Sequence, residues 1–226
     1  MPYGMTISTR AALSAALFIF MQVAAMASPA QDAALIAAAS RGDTAAVARL
    51  IKEGASVAAR DGQGRTALLA ATHANHPAAA RVLIEAGADV NAKDGIEDSP
   101  YLYAAAEGRN EILRMTLAAG ADLKSLNRYG GTGLIPAAHH GHPETVRILL
   151  ATAIDKDHVN KLGWTALLEA VILGDGGSVH TEIVRALVAA GANAAIADRD
   201  GVTPLMHARR RGYTSMVRIL EDAARR

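Results

Sequence analysis

Thr66-Ala67-Leu68-Leu69-Ala70-Ala71 is met again as Ser99-Pro100-Tyr101-Leu102-Tyr103-Ala104, as Thr132-Gly133-Leu134-Ile135-Pro136-Ala137 and as Thr165-Ala166-Leu167-Leu168-Glu169-Ala170. These four segments start 33 residues apart, and Thr203-Pro204-Leu205-Met206-His207-Ala208 starts 38 beyond the last of them. Two further series keep the same phase. One is Gly42, Asn75, Gly108, Gly141, Gly174 and Gly212; the other is Gly54-Ala55, Gly87-Ala88, Gly120-Ala121 and Gly191-Ala192. Three features that share one period define a repeat array, in which each unit buries its apolar face against its neighbours.

Each unit reads as helix, turn, helix, extended finger. The opening Thr or Ser offers a hydroxyl cap to the first helix. The Gly or Asn that follows supplies a left-handed residue to end it. Pro77 and Pro143 then stand in the first turn of a second helix, where the missing N–H costs nothing. Val82-Leu83-Ile84 and Ile148-Leu149-Leu150 form its buried stripe, and the Gly-Ala-Asp segment leads into the finger. The expected architecture is all-α, a solenoid of six units starting at residues 28, 61, 94, 127, 160 and 198 and ending at residue 226. The first unit has Ala33 where the others have Thr or Ser and is expected to cap the array. The sixth ends in the charged stretch Glu221-Asp222-Ala223-Ala224-Arg225-Arg226, as a terminal unit should.

With Thr203-Pro204-Leu205-Met206-His207-Ala208, Gly141-His142 and Gly87-Ala88-Asp89-Val90-Asn91-Ala92 in place, the chain resembles the ankyrin repeat family over residues 28–226. The resemblance implies a non-catalytic module that binds a protein partner through finger tips and first helices, on the concave face. Three departures stand out. The family's His after Leu is replaced by Leu69, Leu102, Ile135, Leu168 and Met206. The fourth unit has Ala153 in place of the finger glycine, so an irregular finger is expected over 153–159. The fifth holds five extra residues within 174–180, expected between its two helices.

Composition bounds the chemistry. The 226 residues carry 23 Lys+Arg against 22 Asp+Glu, a balance that argues against nucleic acid as a partner. Cysteine is absent, which removes disulfides, thiolate metal sites and cysteine nucleophiles. Arg10, the apolar run 11–25 and Ala25-Met26-Ala27 have the layout of a secretory signal peptide, so residues 1–27 are expected to be cleaved and the mature protein to be periplasmic or secreted. Retention of this leader as a membrane anchor is the alternative. Both phenylalanines, Phe18 and Phe20, lie in it, so the repeats must pack aliphatics and alanine.

Gly62-Gln63-Gly64-Arg65-Thr66-Ala67 matches a loose nucleotide fingerprint, but it recurs as a repeat turn and lacks the strand that such a motif needs. No catalytic motif stands out, and no cofactor is implied. His139-His140-Gly141-His142 raises a second possibility, a metal or small ligand at His139 and His140. His142 and His76, however, share one repeat position and suit a structural role. Projected on the repeat, the positions free of structural demand include Ile96, Asp98, Glu107 and Leu173. Tyr129, Leu162 and Trp164 fall on neighbouring fingers, beside Arg128 and Lys161. Tyr, Trp and Arg dominate binding hot spots. The expected partner-binding set is therefore Arg128, Tyr129, His139, His140, Lys161, Leu162 and Trp164.

Overall fold

The structure, a computed structural model, describes residues 28–225. The expected signal peptide lies outside the described residues. Twelve helices follow one another in pairs, with no strand among the described residues. Units one to three contribute α1 Pro29–Arg41 and α2 Thr44–Lys52, α3 Ala67–His73 and α4 Pro77–Glu85, α5 Pro100–Ala106 and α6 Asn110–Ala118. Units four to six contribute α7 Leu134–His139 and α8 Pro143–Leu150, α9 Ala166–Ile172 and α10 Ser178–Ala189, α11 Pro204–Arg210 and α12 Thr214–Ala224. Each first helix packs on the first helix of the next unit, each second helix on the next second helix, and the two helices of a unit on each other. The result is a two-layer solenoid with one continuous core of Leu, Ile, Val and Ala.

The hydroxyl caps form where the sequence places them. Thr66, Ser99, Thr165 and Thr203 each accept the backbone N–H three residues on, at 3.2 to 3.3 Å. Thr132 departs from the pattern. Tyr101, fully buried in the preceding unit, occupies the space that a Cβ at residue 133 would need, its hydroxyl 3.0 Å from that point. Gly133 yields the room, α7 starts at Leu134, and Thr132 Oγ1 is left without a hydrogen-bond partner. In the first described unit Ser28 and Gln31 form a reciprocal capping box on the long helix α1.

The fifth unit corrects one expectation. Its extra residues do not lie wholly between the helices: α10 begins about one turn before the position equivalent to Pro143, and only the rest lengthens the preceding turn. The left-handed residue moves accordingly, from Gly174 to Gly176, whose φ is +75°. Rings at the start of the second helices cover the left-handed glycines of the unit before, His76 over Gly42, His142 over Gly108 and Tyr213 over Gly176. His76 and His142 are thus packing residues. A Cβ at residue 176 would stand 2.3 Å from Tyr213 Cδ1 in a backbone conformation costly to alanine. Gly176→Ala should therefore destabilise by about 1–2 kcal/mol or more, as a lowered midpoint in urea.

The irregularity expected over 153–159 shows in the backbone hydrogen bonds that follow α8. Ala88, Ala121 and Ala192 bond back to Leu83, Thr116 and Leu187, whereas Ile154 N–H turns to Thr152 Oγ1 at 3.2 Å. The turn beyond is regular. Every finger opens on an Asp or Asn whose side-chain oxygen accepts two backbone N–H groups, two and four residues on. For Asn127 these are Tyr129 and Gly131, both at 3.0 Å; for Asn160 they are Leu162 at 2.9 Å and Trp164 at 3.0 Å. Rigid turns of this kind hold the tips in fixed positions.

Candidate functional site

The fingers of units three to five and the first helices of the same units enclose a cavity of about 350 Å³. Asp98, Arg128, Tyr129 and Leu162 approach it from the fingers; Tyr103, Glu107, His139, His140, Glu169 and Leu173 approach from α5, α7 and α9 and their ends. Tyr129 is 57% exposed and Leu162 48%. Ile96, at the same turn position of the preceding finger, is 52% exposed. Three consecutive tips thus carry a large apolar side chain, and exposed Leu173 adds a fourth on the helix side.

The cavity's inner wall is acidic. Glu169 is 5% exposed. Its Oε1 accepts the Asn160 side-chain amide at 2.7 Å, while the nearest basic atom to Oε2, His139 Nδ1, lies at 3.7 Å, beyond hydrogen-bond reach. Burial raises the Glu169 carboxyl from the ordinary glutamate range to about 7, with the Asn160 hydrogen bond opposing. Burial, helped by the neighbouring His140 and His180, lowers the His139 pKa below the ordinary histidine value. Asp98 is also raised by burial, although Arg128 Nη1 stands 3.5 Å from its Oδ2. His140 Nδ1 donates to Ala106 O at 2.7 Å and passes 3.9 Å from Glu107. His73 stacks on Tyr103 with ring centroids 3.8 Å apart.

Of the residues singled out from sequence, Arg128, Tyr129, His139, His140 and Leu162 come together at this cavity. Arg128 lies over the Tyr129 ring at 5.4 Å as well as beside Asp98. Lys161 and Trp164 stand elsewhere. Lys161 clips two fingers together, its Nζ donating to Arg128 O and its N–H to Tyr129 O, both at 2.9 Å. Trp164 is half-buried and does not line the cavity. The sequence reading passed over Glu169 and Asn160. The available signal was a single carboxylate inside the otherwise apolar segment 166–172, nine residues after a finger-opening Asn. Among the described residues no group of three or more His, Asp or Glu is placed to hold a metal ion.

A family model described as "Ankyrin repeats (3 copies)" matches residues 10–94 and 101–198. The chain belongs to the ankyrin repeat family. Ankyrin repeats are in general protein–protein interaction modules, and the family is typically a non-catalytic scaffold. An ankyrin repeat domain from Acinetobacter baumannii AYE, solved by crystallography, is 57% identical with a TM-score of 0.82, covering 84% of this chain and 97% of that one. A second crystallised ankyrin repeat protein is 42% identical with a TM-score of 0.81 and the same coverage of both chains. The ankyrin repeat domain of Bcl-3, a member of the IkappaB protein family, is 29% identical with a TM-score of 0.76, covering 84% of this chain and 85% of that one. No curated protein matches the sequence.

Proposed function

We propose that this protein is an exported, non-catalytic interaction module that grips a protein partner in the groove between fingers and first helices of units three to five. The observation that carries this reading is the row of exposed apolar tips, Ile96, Tyr129 and Leu162, the last two of which line a cavity. Apolar anchors with a polar rim characterise protein interfaces, and rigid finger turns keep the anchors preorganised. Arg128, His139 and His140 supply the rim. The test begins with a partner captured from the native envelope fraction. Tyr129→Ala should then weaken its binding by roughly 2 kcal/mol, about thirtyfold, with the thermal midpoint unchanged. Undiminished binding by a Tyr129→Ala/Leu162→Ala double variant places the partner on another face.

Export rests on the leader-like residues 1–27. N-terminal sequencing of the protein from the periplasmic or secreted fraction should begin at Ser28. An intact Met1 in the membrane fraction supports the anchored form instead.

A further inference from the structure

We propose that the cavity between units three and five receives a cationic side chain of the bound partner, an arginine or lysine, with Glu169 as its buried counter-ion. This deepens the reading of the groove as a protein-binding surface and rests on it.

Glu169 is a carboxyl group almost wholly withdrawn from water that faces a cavity instead of a cation. A carboxylate so placed is unfavourable until an opposite charge joins it. Asn160 satisfies one oxygen, and the other has room. The groups around the cavity favour a cation over an anion. Three carboxyl groups, those of Asp98, Glu107 and Glu169, face it, against the one guanidinium of Arg128, which is already engaged by Asp98 and by the Ile96 carbonyl. Burial disfavours the charged form of His139, and His140 spends its Nδ1 proton on Ala106. The rim suits the rest of such a side chain. Tyr129, Leu162 and Leu173 can cover an aliphatic stem. The volume of about 350 Å³ falls in the range of small-ligand sites.

Arrival of a cation expels the Glu169 proton, so affinity rises with pH. With the carboxyl near 7 in the empty cavity, binding at pH 6 should be about tenfold weaker than at pH 8. The probes are N-acetyl-arginine N-methylamide, its uncharged citrulline counterpart and its glutamate counterpart, titrated by NMR into the isotope-labelled purified protein. The arginine probe should give saturable shifts at Tyr129, Leu162 and Leu173 that strengthen from pH 6 to pH 8, and the citrulline probe none. Glu169→Gln keeps an oxygen for Asn160 and should abolish the arginine response. Equal binding of arginine and citrulline, preferential binding of the glutamate probe, or no saturable response to any of them overturns the assignment. Should the glutamine variant fail to fold, the arginine–citrulline comparison and the pH series on the unaltered protein still decide. Partner capture separates the two claims. If Glu169→Gln retains the partner while Tyr129→Ala loses it, the counter-ion is wrong and the groove stands; if neither matters, both fall.

Discussion

Glu169→Gln should stabilise the protein by about 3 kcal/mol more at pH 8 than at pH 4, read from denaturant melts of both proteins at each pH. In the folded state burial raises this carboxyl from 4.5 to about 7. The folded protein therefore binds more protons than the unfolded chain between those values, and the carboxyl's contribution to stability falls as pH rises through that window. Glutamine has no proton to lose and escapes the penalty. The comparison must be between variants and not along the wild-type profile alone. His73, His139 and His142 are lowered by burial, so their contribution runs the opposite way and strengthens as pH rises towards 6.5. In a domain of this size the difference corresponds to roughly 6–12 °C in melting temperature. A variant-minus-wild-type difference that stays flat from pH 4 to pH 8 would show that Glu169 is not a buried, protonated acid, and the cavity would lose its acidic wall.

Leu167→Ala should cost about 2–5 kcal/mol. Leu167 is 1% exposed in the first turn of α9, which packs against α7, α10 and α11. Truncation leaves a void that helices pinned by their neighbours cannot close. Because units in a solenoid touch only their neighbours, the loss should spread unevenly. Hydrogen exchange should accelerate most in units five and six and least in α1 to α4. Uniform acceleration along the whole chain would instead mean that the array unfolds as one cooperative body.

Much of this architecture is legible in the sequence, because a repeat states its local rules several times over. Helix caps, second-helix starts and the finger-opening Asp or Asn recur at one spacing, so each is supported by its equivalents. The misplacements have two sources, a crowded neighbour in space and an insertion in the chain. Thr132 has a capping residue's identity, but α7 begins at Leu134 without a side-chain cap, and Tyr101 and Ala105 of the previous unit crowd Gly133. Gly174 has the phase of a left-handed residue, but the added turn of α10 hands that role to Gly176. The site is less legible than the fold. Exposed apolar tips can be projected from the period, and Tyr129 and Leu162 are where the projection puts them. Lys161 looks equally available in sequence, yet it spends its ammonium group on a neighbouring finger's carbonyl. Glu169 hides because a carboxylate within an apolar helix breaks the pattern without announcing its partner, which lies on another element.

The contact between finger and first helix also bears on how such an array can grow. In unit five an amide on the finger, Asn160, faces an acid on the helix, Glu169; in unit six an acid on the finger, Asp198, accepts a hydrogen bond from His207 on the helix at 2.7 Å. The positions correspond, but the polarity is reversed. Exchanging the two finger residues alone would set carboxyl against carboxyl in unit five and put an amide in place of the carboxylate that faces His207 in unit six. Duplication or transplantation of a whole unit carries its matched pair intact, whereas transfer of a finger residue alone separates the pair. For such an array to grow with its finger contacts intact, the finger and helix residues of a unit have to move together.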